Sequence, residues 1–445
     1  MPFQTFIWNG LCRSKRSFGT VYAVPKVYLE RHCTYRAFYG IICAMDGNIK
    51  RMYEPMFADH FANNRQMILL SGPRQVGKTT VAKEMSDVYL NWDRRGDRAL
   101  FLRGEDEIAK VAGLEVRREE RPLVVFDEIH HYPKWRQFLK GYFDTYGENS
   151  RTLVTGSARL DIVKRGKGDS LMGRYFPFRM HPLSVGELLR PKVPQGAVAS
   201  AEELPESEWQ ALVRFGGFPE MFKSRSDAFA VRWRRLRREQ LVRTDIANET
   251  GIRDLDQLDA LAEILSQRSG QQIVYSSLAS DVQTNEVSAR QWLKTLSAFF
   301  YGFTVRPWFR NVSNSIRKTP KWYMRDWSGI KDAGARNETL VACHLLKAVE
   351  TWSDMGLGEY GLFYLRDKNK NEVDFLVSRD DAPWMLVEVK TSDTSVSPSL
   401  KGMQRQLDAE LALQVVADLP FEDVDCFAPG RAAVVPMRTF LSQLV

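Results

Sequence analysis

The stretch QMILLSGPRQVGKTTVAKEM, Gln66–Met85, decides the reading of the first half of this chain. Four apolar residues, Met67 to Leu70, read as a buried strand. They run into Gly72-Pro73-Arg74-Gln75-Val76-Gly77-Lys78-Thr79-Thr80, and a helix-forming segment follows. This is GxxxxGK[ST] in the strand–loop–helix setting that the chemistry requires. Glycines let backbone N–H groups turn inward around phosphates, and the helix that follows presents its positive end to them. Lys78 is placed to reach the β- and γ-phosphates, and Thr79 to ligate Mg²⁺. The expected cofactors are therefore ATP and Mg²⁺, held by residues 72–80 and Asp127.

A phosphate loop needs a second strand that ends in an acid beside the metal. PLVVFDEIH, Pro122–His130, supplies it. Asp127 is expected on the Mg²⁺, and Glu128 as the acid that polarises the attacking water. The adjacent acid pair favours ATP hydrolysis over simple nucleotide sensing. A third strand, RTLVTGSARL, ends at Ser157, a candidate hydrogen-bond partner of the γ-phosphate or the water. Arg174, before the strand YFPFRM, is a candidate phosphate-reaching arginine in its own or a neighbouring subunit; a plain surface arginine is the other reading. Strands alternating with helices, including Trp135–Tyr146, imply a parallel sheet with helices on both faces.

Composition bounds the partners. The chain has 445 residues, with 63 Lys and Arg against 55 Asp and Glu, a net charge of +8 that tilts the partner expectation toward DNA. Its five cysteines include no CxxC pair, so neither a disulfide framework nor a zinc finger is indicated, and free thiols in a reducing cytoplasm are expected. No apolar run approaches the ~20 residues of a membrane span. The first 44 residues hold one acid, Glu30, and lack a secretory pattern. They read as a poorly ordered extension, or as a misassigned start upstream of Met45.

The second half offers two further modules. After a linker-like stretch near residue 190, VRWRRLRREQLVR packs six arginines between Arg232 and Arg243. As a helix it lays guanidinium groups along a phosphate backbone, or simply makes a solvated or salt-bridged face. An amphipathic helix from Leu255 then leads to a short helix around Leu278–Val282, a turn at Gln283–Asn285, and a longer helix from Glu286. This reads as a winged helix-turn-helix. Ser288, Arg290, Gln291 and Lys294 would face a DNA groove, and Arg310, Arg317, Lys318 and Lys321 would lie in the wing. The alternative is a lid packed on protein.

Near the end stands EVDFLVSRDDAPWMLVEVK, Glu372–Lys390: two alternating strands around a turn at Asp380 and Asp381. Glu388 and Lys390 share a face, which Asp374 on the neighbouring strand joins. With Glu338 on the amphipathic helix before them, the order E…D…ExK resembles the PD-(D/E)xK nuclease superfamily. That resemblance implies a metal held by Glu338, Asp374 and Glu388, with Glu388 and Lys390 acting on the attacking water. The same residues also suit a surface salt bridge.

LNWD (Leu90–Asp93), FDEIHHYPKWRQFLKGYFD (Phe126–Asp144), VTGSARLD (Val154–Asp161), GDSLMGRYFPFRMHPLSVGEL (Gly168–Leu188) and GGFPEMF (Gly216–Phe222) together resemble a widespread prokaryotic family of AAA-type ATPases with a C-terminal domain of uncharacterised function. The resemblance covers nearly everything after Met45 and implies an ATPase core, a winged-helix segment and an endonuclease-like end. The expected fold is thus α/β: a P-loop NTPase parallel sheet, then a winged-helix domain, then a C-terminal α/β endonuclease-like domain. The expected bounds are 1–44, 45–190, 191–254, 255–328 and 329–445. The expected activity is ATP hydrolysis tied to DNA. An ATP-dependent switch that binds a protein partner, with an inert endonuclease fold as its platform, is the alternative.

Overall fold

Apolar residues at alternate positions of Met67–Ser71 feed two different cores, and this sets the architecture. Met67 and Leu69 pack with Phe126, Phe138 and Tyr142 on one face, while Ile68 and Leu70 pack with Phe57, Val81 and Val125 on the other. A strand buried on both faces belongs to a sheet covered on both faces. The computed structural model of the chain describes residues 49–116, 118–156, 171–309, 319–369 and 371–445. The expectations for residues 1–44, Ser157, Arg310, Arg317 and Lys318 lie outside these.

The first sheet has five parallel strands: β1 Met67–Ser71, β2 Val88–Asn91, β3 Leu123–Asp127, β4 Arg151–Gly156 and β5 Tyr175–Arg179, in the order β2-β3-β4-β1-β5. Insertion of β4 between β1 and β3 brings Ser71, Asn91, Asp127 and Gly156 to one edge. Helices Lys78–Met85 and Trp135–Tyr146 fall on the residues expected of them.

The second sheet is mixed. Its strands are β6 Gly302–Pro307, β7 Lys321–Met324, β8 Tyr360–Arg366, β9 Glu372–Arg379, β10 Ala382–Lys390, β11 Leu411–Val416 and β12 Ala433–Pro436, in the order β12-β11-β10-β9-β8-β6-β7. Asp380 and Asp381, both at positive φ, make the two-residue β9–β10 turn. The hairpin β6–β7, where the wing was expected, is continuous with the C-terminal sheet through the parallel pairing of β6 with β8. The sheet therefore crosses the expected boundary at 328/329. One core joins helix Leu255–Gln267, the β6–β7 hairpin and helix Ala333–Asp354. Helices Tyr275–Asp281 and Glu286–Ala298 flank a turn in which Gln283 has φ +53°.

The arginine-rich segment is helix Asp227–Gln240, continued by a π-helical turn, Leu241–Ile246, and a last short turn, Ala247–Glu249. Its arginines are largely committed to protein. Arg237 lies over the Phe218 ring at 4.2 Å, Arg238 pairs with Asp259 and Glu263, Arg234 donates to Ser328 and Arg243 pairs with Asp256. Among the described residues, no helix is long and apolar enough to cross a membrane.

Candidate functional site

At the C-terminal edge of the first sheet, the loop after β1 is pressed against the end of β5. A Cβ on Gly72 would stand 2.4 Å from the Met180 carbonyl oxygen, so only glycine fits there. Gly77, at φ +108°, caps helix Lys78–Met85. Lys78 is buried, and its Nζ donates to the carbonyls of Gly72 and Pro73 at 2.8 and 2.9 Å. Burial lowers its pKa to about 8, against the opposing pull of Glu128 and Asp127. The ammonium is thus held over the loop where a phosphate would replace those carbonyls.

Asp127 is surrounded by donors. Thr79 Oγ1 donates to Oδ2 at 3.1 Å, Asn91 Nδ2 to the same oxygen at 3.1 Å, Tyr89 also to Oδ2, and Thr155 to Oδ1. The Thr79 hydroxyl and Asp127 carboxylate side by side are the hard oxygen donors that Mg²⁺ takes, so the residues present fit that ion. Glu128, one residue on, has φ +54°, which turns its side chain out of the strand's alternation. Its Oε2 is buried without a hydrogen-bond partner.

Two carboxylates from the end of the arginine-rich segment reach this edge, and no motif in the chain announces them. Asp245 pairs with Arg74 of the phosphate loop at 2.6 Å; burial raises its pKa to about 6 although Arg74 opposes this. Glu249 Oε1 accepts from His130 Nε2 at 3.2 Å and lies 3.6 Å from His131 Nε2. Burial would raise Glu249, but the two imidazoles outweigh it and hold its pKa down to about 2. Glu249 in turn, with Asp93, raises His131 to about 9.

A further buried ionic chain runs behind the phosphate loop. Arg51 donates to the carbonyls of Val76 and His181 and to Glu187, and Glu187 also accepts from Lys347 on helix Ala333–Asp354. All three charged side chains are at most 4% exposed. The spacing of a single arginine, glutamate and lysine over nearly 300 residues leaves no local pattern, which is why sequence reading missed them.

Arg174 lies away from the phosphate loop of its own chain, as the surface-arginine reading expects. It precedes Tyr175, which pairs with Met67 at the start of β1, so it lies at the sheet edge opposite the phosphate loop, about 16 Å of strand away. There it pairs with Asp144 at 2.7 Å. Within its own chain it does not meet the phosphate loop; Arg74 and Arg51 are arginines found there.

Of the C-terminal acids, Glu338 and Asp374 flank Lys321, but the ligand atoms of Glu338, Asp374 and Glu388 do not all lie within 4.8 Å of one another. Asp374 Oδ2 accepts from the Val389 N–H at 2.9 Å, and Lys390 Nζ lies 2.8 Å from Glu388 Oε1. Lys321, expected in a solvent-facing wing, is instead buried among them, at 2.6 Å from Glu372, 3.3 Å from Glu338 and 3.7 Å from Asp374. The reason is the sheet: β7 is its edge strand, and Lys321 points over the cluster. Tyr323 donates to Glu338 at 2.7 Å. Burial, then the Glu338 charge, raises Asp374 to about 7. Glu388 Oε2 is buried and unpartnered, an oxygen that a divalent cation would satisfy.

A family model agrees with the first half of this picture. Residues 64–189 match the model of an AAA domain, and residues 206–336 and 333–425 match two domains of unknown function, DUF8612 and DUF4143. The chain carries an AAA-type P-loop ATPase domain. Uncharacterised proteins of Mycobacterium bovis and Mycobacterium tuberculosis are each 26% identical over 348 residues, covering 75% of this chain and 73% of theirs. Among solved structures, AMPPCP-bound DnaA from Aquifex aeolicus matches at 13% identity and a TM-score of 0.28, covering 56% of this chain and 88% of that one. The Aeropyrum pernix ORC1 protein in complex with DNA matches at 12% identity and a TM-score of 0.23, covering 72% and 94%.

Proposed function

We propose that this chain is an ATP-hydrolysing, DNA-associated protein whose nucleotide state acts on a nuclease-like C-terminal cation site. The ionic chain from the Val76 carbonyl through Arg51 and Glu187 to Lys347 carries the reading. It ties the phosphate loop to the same helix that supplies Glu338. Mg²⁺ on Thr79 and Asp127 would neutralise phosphate charge. Lys78 leaves the loop carbonyls for the phosphates, and Glu128 orients the attacking water. In the C-terminal cluster, Asp374 and Glu388 would hold the cation, and Lys390 would stabilise charge at the attacked phosphorus.

The DNA reading rests on the helix Glu286–Ala298. Val287, Arg290, Gln291 and Lys294 are exposed at the spacing of one helical face, and Val287 is 79% exposed. A second reading is favoured by Lys321: a built-in cation already balances Glu338, Glu372 and Asp374, as suits an inert platform for a protein partner. Incubation of single-stranded, duplex and branched DNA with Mg²⁺ or Mn²⁺, with and without ATP, separates the two. Cleavage lost in Asp374→Ala supports the first. ATP turnover without cleavage under any condition supports the platform.

A further inference from the structure

Beside the phosphate loop, the acid that polarises the water belongs to a second constellation that ATP hydrolysis does not require. We propose that Glu128, His130 and His131 form a binding site for a transition-metal dication of the Zn²⁺ type, separate from the Mg²⁺ position, and that its occupation withdraws Glu128 from the water it orients. Among the described residues, this is the one trio of His, Cys, Asp or Glu whose ligand atoms all lie within 4.8 Å of one another.

The hydrogen bonds around His130 carry the inference. Glu249 Oε1 lies 3.2 Å from His130 Nε2 and, being a carboxylate, takes a proton from it. In the tautomer that carries its proton on Nε2, the ring's lone pair is on Nδ1. Nδ1 faces Glu128 Oε2 at 3.5 Å, and both atoms are buried with no hydrogen-bond partner. In that tautomer two acceptors face each other, an arrangement that costs free energy unless a proton or a metal ion sits between them. The separation exceeds the ~2.7–3.2 Å of an N–H···O bond. It is close to the edge of a tetrahedron built on metal–ligand bonds of about 2.0–2.2 Å.

The surroundings complete a metal site. The His130 side chain is 1% exposed, and the carboxylate behind its other nitrogen is the usual outer-sphere partner of a metal-bound imidazole. The His131 ring lies 4.2 Å from that of His130, centre to centre; its Nδ1 is engaged by Asp93 Oδ1 at 3.2 Å, and its Nε2 lies 3.6 Å from Glu249 Oε1, the carboxylate a metal ion would displace there. The side chains of Glu128 and His131 are 20% and 30% exposed, which gives an ion its way in. Imidazole donors select Zn²⁺, Ni²⁺ or Cu²⁺, whereas the Thr79–Asp127 oxygens select Mg²⁺, so the two positions do not compete for one ion.

The binding half of the proposal stands on this geometry alone; the withdrawal half rests on the ATPase reading. The test uses the whole chain, stripped of metal and free of nucleotide, titrated with Co²⁺ as a visible-absorbing substitute for Zn²⁺. One equivalent should produce the intense d–d bands of a four-coordinate N/O site and should be displaced by Zn²⁺. Affinity should fall about 10–100-fold in Glu249→Gln and by at least ~10-fold in His131→Ala. No such bands, or bands and affinity unchanged in both variants, would overturn the site. Filling it with Zn²⁺ should cut MgATP turnover by roughly 100-fold while binding of a fluorescent ATP analogue persists. Full turnover with the site filled would overturn the withdrawal. Absence of turnover in the metal-free protein would overturn the ATPase reading instead, leaving the Co²⁺ result to decide the site.

Discussion

Replacing Glu187 with glutamine removes one negative charge from between two buried cations without changing the space filled. Its carboxylate accepts from Arg51 Nε at 2.8 Å and Nη2 at 3.2 Å, from the Met52 N–H at 3.0 Å and from Lys347 Nζ at 2.5 Å. Breaking such a buried set by removing one member costs about 3–5 kcal/mol, because the partners stay buried and uncompensated. Burial opposes ionisation of Glu187, but Arg51 and Lys347 outweigh it and hold its pKa at about 2, against an ordinary 4.5. At about 1.4 kcal/mol per pKa unit, that difference alone favours folding by ~3 kcal/mol, although burial lowers Lys347 to about 8 and takes back a similar amount. Since the folded pKa of Glu187 lies below the unfolded one, its contribution is present above about pH 4.5 and fades as the pH falls toward 2. With a guanidinium slope of roughly 5 kcal/mol/M, Glu187→Gln should lower the unfolding midpoint at pH 7 by ~0.8 M. The assay is tryptophan fluorescence against guanidinium, and Glu187→Gln/Lys347→Met should recover part of the loss because the orphaned ammonium is gone. A single-variant shift below ~0.2 M, or costs that simply add in the double variant, would refute the reasoning.

Three other outcomes follow from the geometry. Lys78→Ala should abolish ATP turnover and weaken nucleotide binding, whereas Glu128→Gln should keep binding and slow turnover by roughly 100-fold or more; equal turnover in Glu128→Gln and wild type removes that acid from its role. Lys321→Met should tighten Mn²⁺ binding by about tenfold or more, read by calorimetry, since it deletes the internal cation competing for Glu338, Glu372 and Asp374; unchanged affinity would mean those acids do not form a cation site. Arg290→Ala with Lys294→Ala should weaken duplex DNA binding and flatten its salt dependence by a slope of about 0.9 for each phosphate no longer neutralised; an unaltered salt slope places DNA elsewhere or nowhere.

The phosphate-loop motif was legible because its residues are contiguous: a strand, a glycine-bearing loop and a helix start must follow one another for N–H groups to converge on one point. The same holds for Asp127 and Glu128 at a strand end, and for the alternating teeth of β9 and β10, where period two puts Glu372 and Asp374 on one face. The helix Trp135–Tyr146 and the start of the helix at Leu255 were readable from the sequence, but the latter helix ends at Gln267, ahead of the breaker Gly270. What sequence order does not contain is which distant elements share an edge. Pairing of β6 with β8 turned an expected solvent-facing wing into the rim of the C-terminal sheet, and so buried Lys321 among three carboxylates. Placing β4 between β1 and β3 sent Thr155 to Asp127, while the start of β5 carried Arg174 to the far edge. Packing of the arginine-rich segment against the ATPase edge brought Asp245 to Arg74 and Glu249 to His130. Each of these pairings spans tens to hundreds of residues and depends on desolvating charges in pairs, a requirement that acts only once the chain has closed on itself; the local chemistry was written in the sequence, and the tertiary fold decided which charges met.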